Sequence, residues 1–324
     1  MTLSKLAQLA NVSVSVVSKA FAGKDGVSLA MREHVFAVAK EHGCFEQFYH
    51  VPYDKPVIAV IIPEAISVYY IHFIEVLKKS MEAHGYTMLL SISNFDPEMT
   101  EELIRYYTEH SRVNGMVVFG DLPEATKKTD TFILSVVEKN VTNGETEVRL
   151  DLEPGLLSAT KHLKSLGHNR VAYVGEPLTQ NKLDDLRRVM ENEGLNLPDE
   201  MAVCSLNRFE EAGRDGLRRL MALSQKPTAV FGAYGYITSG IISEAEAIGL
   251  RIPDDLSVIS MDSDPDPIHR GYDVCRIPSG INEICESIMA ALNHRLNPSV
   301  HKISADLIVP SEFYCGNTVD KPKK

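Results

Sequence analysis

The 324-residue sequence has no tryptophan, only five cysteines, no long apolar run, and fewer basic than acidic residues, 33 against 44. Each shortage excludes something. A bilayer-spanning helix needs about 20 consecutive apolar residues, and no such run exists. The N-terminal stretch breaks its apolar residues with Lys5 and Gln8 and leads to no small-residue cleavage site, which argues against a secretory signal. The cysteines (Cys44, Cys204, Cys275, Cys285, Cys315) are odd in number, widely spaced and without a C-x-x-C pair. That pattern suits buried thiols in a reducing cytoplasm better than disulfides or a zinc site. The net charge of −11, taken alone, argues against nucleic-acid binding, whose usual footprint is basic.

What is present is ordinary globular composition, 44 % apolar and 24 % charged, with a length that suggests two or three domains. Residues 1–43 read as three short helices, at 4–10, 13–21 and 29–42. Thr2 or Ser4, Ser13 and Ser28 stand where hydroxyl caps are wanted. Gly43 follows the third helix as a left-handed terminator. Residues 44–56 are aromatic with two prolines and read as a linker. From residue 57, short β-branched runs alternate with amphipathic helices. Strands are expected at 57–62, 86–92, 115–119, 131–137, 147–151, 170–175, 201–206, 228–232, 257–262 and 305–310. Helices are expected at 70–84, 97–112, 154–166, 181–194, 209–224, 236–248 and 280–295. Strands spaced by such helices imply parallel sheets. The pattern runs twice, which predicts two similar subdomains, about 57–150 plus 278–304, and 151–277 plus 305–324. Ligands of such sheets bind at the carboxyl ends of the strands, here between the two halves.

Residues 6–19 have helix-turn-helix spacing. Ala7 is small where two helices cross. Asn11 sits at the turn, where a left-handed residue is needed. Val12 and Val17 fill the space between the helices, which leaves Val14, Ser15, Ser18 and Lys19 on the outer face of the second helix. A short, uncluttered polar face is what entry into a major groove requires. A small three-helix domain without a DNA role is the plainer alternative.

On these residues the sequence resembles the lactose-repressor (LacI/GalR) family of transcription factors. Thr2 to Lys19 follow the start of that family's headpiece, and Val27-Ser28-Leu29-Ala30-Met31-Arg32 follow the segment before its third helix. The likeness continues through nearly the whole chain. It includes Ile58–Pro63, then Asp151, Gly155, His162-Leu163 and Leu166–Ala172, then Pro227–Phe231 and Ile252–Ile259. The resemblance implies an α/β core of two similar parallel-sheet subdomains, of the type I periplasmic-binding-protein kind, behind a small all-α helix-turn-helix headpiece. It implies a sequence-specific regulator, most often a repressor, and not an enzyme. Such a protein binds a double-stranded, pseudo-palindromic operator as a homodimer and takes a small-molecule effector, often carbohydrate-derived, in the cleft. No cofactor, metal or membrane is implied. The implied DNA contacts are Thr2, Leu3, Lys5, Ser13, Val14, Ser15, Ser18, Lys19, Ser28, Met31 and Arg32. Of these, Val14 and Ser15 face base edges, Lys19 a base or a phosphate, and Thr2, Ser13, Ser18, Ser28 and Arg32 the backbone.

The sequence also departs from the family. Lys5 stands in place of an Asp that would suit the helix dipole, Val16 in place of a Thr, and Lys19 in place of an Arg, which keeps the charge but loses the bidentate fork. Residues 44–56 lack the family's hinge-helix leucine and its Ala-Arg pair. Phe45, Phe48 or Tyr49 either substitute as a minor-groove wedge or simply pack on the core. In the cleft, the residues at family positions are Ser67, Tyr69, Leu152, Lys182, Tyr234 and Asp262, and most sugar-pairing groups are gone. Hydroxyl recognition needs several fixed polar partners, so the expected effector is flatter or less hydroxylated than a simple sugar, stacked on tyrosine and anchored by Lys182 and Asp262. A cleft that binds nothing is the alternative.

Other constellations carry less. Gly232, Gly235 and Gly240 follow a strand and open a helix, but the spacing matches neither dinucleotide nor phosphate-loop motifs. Asp262, Asp264 and Asp266 resemble the start of a calcium loop, yet Pro267 occupies the sharp-turn position. His162 and His168 match structural positions, and no G-x-S-x-G elbow is present. A ligand carrier without a headpiece role, an effector-independent DNA-binding regulator and a dinucleotide-binding enzyme are the competing classes.

The charge is unevenly divided. Residues 1–45 hold five basic and three acidic residues, whereas the remainder holds 28 basic and 41 acidic, a balance of −13. Only the N-terminal end is electrostatically suited to DNA, and its small excess implies weak, salt-sensitive non-specific affinity.

Overall fold

Hydroxyl caps open each of the first three helices. In the computed structural model, which describes residues 1–48, 55–111, 113–120, 122, 131–137, 146–261, 268–269, 271–296 and 306–323, these are α1 (Leu3–Leu9), α2 (Val14–Phe21) and α3 (Leu29–Glu41). The Oγ atoms of Thr2, Ser13 and Ser28 accept from the backbone N–H of Lys5, Val16 and Met31 at 3.2, 3.2 and 3.3 Å. Each satisfies one of the orphan donors of a helix start. The chain divides into two compact units, Met1–Pro56 and Val57–Lys324.

The first unit packs around Leu6, Ala7, Val17, Phe21, Val35 and Ala39, all buried. Asn11 takes φ 53° at the turn between α1 and α2, as the sequence predicts. The segment expected to be a plain linker begins with a short helix, α4 (Phe45–Phe48). Its two phenylalanines close the bottom of the core. Phe21 stands 5.0 Å from Phe36, 5.9 Å from Phe45 and 5.7 Å from Phe48, centroid to centroid. Phe45 and Phe48 are therefore packed on this core. The reason is the small size of a three-helix core, which needs every apolar ring it can bury. Tyr49 lies outside the described residues.

The second unit runs β1 (Val57–Ile62), α5 (Val68–Ala83), β2 (Thr87–Ile92), α6 (Pro97–Tyr106), β3 (Gly115–Phe119), β4 (Phe132–Val137), β5 (Thr146–Asp151), α7 (Glu153–Leu166), β6 (Val171–Gly175), α8 (Gln180–Asn192), β7 (Ala202–Cys204), α9 (Phe209–Met221), β8 (Ala229–Gly232), α10 (Gly235–Ala247), β9 (Ser257–Met261), β10 (Ile268–His269), β11 (Tyr272–Asp273), β12 (Cys275–Ile277), α11 (Ile281–Leu296) and β13 (Asp306–Pro310). Two large sheets result, in strand order β13-β5-β4-β3-β1-β2 and β12-β9-β8-β6-β7, beside a separate antiparallel pair, β10-β11. The pairings within the two large sheets are parallel throughout. Strands β6, β8 and β9 are buried along their whole length, as expected where helices cover both faces. No helix among the described residues is long and apolar enough to cross a membrane.

One boundary differs from the sequence reading. Residues 305–324 were expected with the second subdomain, but β13 pairs with β5 in the first sheet, Leu307 opposite Val148 and Val309 opposite Leu150. Only the tail after Ser311 crosses over. Tyr314 bridges Arg276, and Val258 N–H donates to Thr318 O at 2.8 Å. The short run around 306–310 is apolar enough for either sheet, so periodicity does not choose between them. Likewise the helix expected over 97–112 leaves α geometry at Tyr106 and continues as a π turn over Tyr107–Ser111. Of the five thiols, all free, Cys44, Cys275 and Cys285 are buried while Cys204 is partly so and Cys315 is exposed. Burial pushes the Cys285 thiol up to about 12.

Helices α9 and α10 touch backbone to backbone. A Cβ on Gly240 would lie 2.0 Å from Glu210 O, and one on Gly213 would lie 2.1 Å from Ile237 O. Gly240→Ala is expected to destabilise the second unit by about 2–3 kcal/mol. Gly167→Ala, left-handed but facing open space, should lose only about 1 kcal/mol. Urea unfolding of the two variants checks the contrast, and equal losses would contradict the packing.

The tail is tied to the second sheet through His168, whose Nδ1 meets Thr228 Oγ1 at 2.9 Å and whose Nε2 meets Asp320 O at 2.8 Å. Burial lowers the His168 pKa from the ordinary value. The unfolded chain therefore takes up a proton before the folded chain does, and stability falls with falling pH. Its contribution is complete above about pH 6.5, the ordinary histidine value, and is lost progressively below it. Urea midpoints across this range should slope less in His168→Gln than in the parent.

Candidate DNA-reading face and effector cleft

The face of α2 turned away from the first core carries Val14, Ser15, Ser18 and Lys19, all exposed. Val17 and Ala20, on the opposite face, are buried, so the split is sharp. Ser13 and Ser28 use their Oγ lone pairs inside the cap, which leaves each hydroxyl proton free to donate to a phosphate. None of α1, α2 and α3 carries an acid in its first turn. The partial positive charge of these helix starts is therefore unopposed. Thr2, Lys5 and Met31 are exposed as well.

Two of the expected contacts have work within the unit. Leu3 is partly buried against the core. Arg32 is partly buried, and its Nη2 donates to Lys24 O at 3.1 Å, which pins the loop between α2 and α3. Arg32 thus holds this loop in place.

The second unit holds a cavity of about 740 Å³. Its walls come from the carboxyl ends of strands in both sheets, including Glu64 after β1, Phe119 of β3, Glu176 after β6 and Tyr234 after β8, and from the starts of α5, α8 and α9. This is where parallel sheets present ligand sites. Ser67, Tyr69, Lys182 and Tyr234 line it together, four of the six residues expected. Leu152 does not. It is buried in the hydrophobic core at the start of α7, because the α7 backbone turns its side chain inward. Asp262 lies outside the described residues.

The lining is strongly aromatic. Tyr69 and Tyr70 meet edge to face at 5.0 Å, Tyr70 and Phe119 at 5.9 Å, and Phe209 and Tyr236 at 5.3 Å. Tyr234 Oη accepts from Phe209 N–H at 3.3 Å. Burial, reinforced by the nearby Glu176 charge, raises the Tyr234 phenol above its usual range, so it stays protonated and remains a donor. Ser67 caps α5, accepting from Tyr70 N–H at 3.5 Å.

Sequence reasoning missed the charged centre of this cleft. Arg208, at the start of α9, donates from Nη1 and Nη2 to Glu64 at 2.8 and 3.3 Å and from Nε to Glu176 at 3.3 Å. Hydrogen bonding to Glu64 raises the Arg208 pKa further. The available signal was position, since Glu64 and Glu176 each follow a strand end within two residues. Arg208, beyond the short β7, had no such marker.

Residues 2–44 match the model of bacterial regulatory proteins of the lacI family, and residues 160–319 match that of the periplasmic binding protein-like domain. The HTH-type transcriptional repressor CytR of Escherichia coli (strain K12) is 27 % identical over 278 residues, covering 81 % of this chain and 80 % of its own length. Catabolite control protein A of Priestia megaterium is 23 % identical, covering 81 % and 82 %. Among solved structures, a LacI-family regulator from Silicibacter pomeroyi superposes with a TM-score of 0.75 at 17 % identity over 99 % of both chains. The lac repressor dimer bound to operator and the anti-inducer ONPF superposes with a TM-score of 0.71 at 17 % identity, again over 99 % of each.

Ser13→Ala removes the α2 cap and should destabilise the first unit by about 1 kcal/mol. Amide hydrogen exchange along Val17–Phe21 reads this directly, and unchanged exchange there would show that the cap is dispensable.

Proposed function

We propose that this chain, a member of the lacI family of bacterial regulatory proteins, represses transcription by binding a pseudo-palindromic DNA site as a homodimer, under the control of a small effector. The observation that carries the reading is the exposed α2 face, Val14, Ser15, Ser18 and Lys19, presented by a capped helix with no acid near its start. Two such helices enter successive major grooves about 34 Å apart. Val14 and Ser15 meet base edges, Lys19 a base or a phosphate, and Thr2, Lys5, Ser13, Ser18, Ser28 and Met31 the surrounding backbone. A dimer is supported by the edge strand β2, whose Leu89, Leu90 and Ile92 are exposed, since apolar sheet edges are usually covered by a partner. The protein works in the cytoplasm, where its DNA lies.

The effector binds in the cleft between the two sheets and changes repression through different affinities for two degrees of closure. Its anchors are Lys182 and Asp262, with Tyr69 and Tyr234 against a ring. A cleft of this aromatic character suits a ligand flatter and less hydroxylated than a simple sugar. The similar structure of the regulator CelR is a cellobiose complex, whereas the cleft here is walled by Tyr69, Tyr70, Phe119, Phe209 and Tyr234, which suits a flatter ligand.

Selection of DNA sites from a random pool by the purified full-length protein tests the reading. An enriched pseudo-palindrome at low salt is expected, and no enrichment would sink it. Lys19→Ala should weaken specific binding by about 1–3 kcal/mol if Lys19 reads a base. An equal loss on all sequences would reassign it to a phosphate.

A further inference from the structure

Arg208 occupies a finished cation subsite. Its guanidinium lies between Glu64 and Glu176, at 2.8 and 3.3 Å. Both carboxylates are buried, at 6 % and 2 % exposure, while the Arg208 side chain is still 37 % exposed. Two rings complete the enclosure, Phe209 at 4.5 Å and Phe95 at 5.8 Å from the guanidinium carbon. Carboxylates and aromatic faces together are the groups that select organic cations.

The electrostatics point the same way. Glu64, Asp96, Glu176 and Glu210 line the cavity against Lys182 and Arg208, so an anion entering it meets a negative balance even though Glu210 pairs with Arg214 at 3.0 Å. The Arg208 position is also enforced at a cost. Phe209 is held at φ 56°, a left-handed conformation that a bulky residue avoids unless its surroundings impose it.

We propose that the effector of the cleft described above is a small organic cation, an ammonium or amidinium on a flat apolar body, that competes with Arg208 for Glu64 and Glu176. This rests on the effector reading of the previous section, with Glu64 and Glu176 in place of Lys182 as the anchor. The body lies against Tyr69, Tyr70 and Phe119, and the displaced Arg208 turns toward solvent. Glu64 belongs to the β1 side of the cleft and Arg208 to the α9 side. The exchange therefore replaces a direct bond between the two halves with one made through the ligand, and couples occupancy to closure.

Isothermal titration and thermal shift on the full-length protein test this with phenethylamine and benzamidine as cations, phenethyl alcohol and phenylacetate as matched neutral and anionic probes, and glucose and ribose as sugars. Binding and a raised Tm are expected for the cations and not for the alcohol or the acid. Glu64→Gln and Glu176→Gln should each weaken cation binding by about tenfold or more. Arg208→Ala should strengthen it by removing the competitor, with Arg208→Lys intermediate. Cation binding that survives both carboxylate variants, or that disappears in Arg208→Ala with circular dichroism unchanged, would overturn the proposal. Binding of sugars or phenylacetate without the cations would overturn it while leaving the effector cleft intact. Silence of the whole panel would overturn it and count against the cleft as an effector site, whereas the DNA selection would stand apart. The unmodified protein against the panel is decisive if a carboxylate variant does not fold.

Discussion

Parallel strands cannot be joined by tight turns, and that constraint organises the second unit. Each strand must be followed by a crossover that returns the chain to the same end of the sheet. All the carboxyl ends therefore gather on one side of each sheet, and all the loops that follow them share a region of space. Glu64, Phe119, Glu176 and Tyr234 come from distant parts of the sequence, yet each follows or ends a strand and so reaches the same cavity. The cavity is a consequence of topology before it is a consequence of any particular side chain.

Within that frame, close helix packing decides where the charged centre falls. Gly213 and Gly240 let α9 and α10 approach to backbone contact, and Gly216 leaves room for the Val174 side chain of β6. Helix α9 is seated firmly as a result, and its first residues project into the cleft. Ser205 Oγ donates to Asp215 at 2.7 Å and accepts from Asn207 N–H at 3.2 Å, which braces the loop just ahead of Arg208. A long, flexible side chain thus becomes a fixed bridge between two buried carboxylates.

The first unit solves a different problem. It has few residues with which to build a core and must leave one helix face uncovered. Ala7 and Ala20 are small and buried, and the rings of Phe21, Phe36, Phe45 and Phe48 supply area that so short a sequence would otherwise lack. The phenylalanines after residue 44 are therefore part of the core of the first unit, one of the two uses that the sequence left open.

The amino-acid sequence by itself determined most of the helices and strands and the exposed face of α2. Periodicity distinguished the helical first unit from the alternating second one. Capping residues set the starts of α1 to α3, and the position of Asn11 required a left-handed turn. These are local properties, written within a few residues of where they act. Tertiary structure alone decided the rest. It joined β13 to the first sheet, turned Leu152 into the core, drew Arg32 back onto the loop at Lys24, and brought Arg208 to Glu64 across 144 residues of sequence. Such pairings depend on which surfaces meet after folding, and no local pattern in the chain encodes that distance.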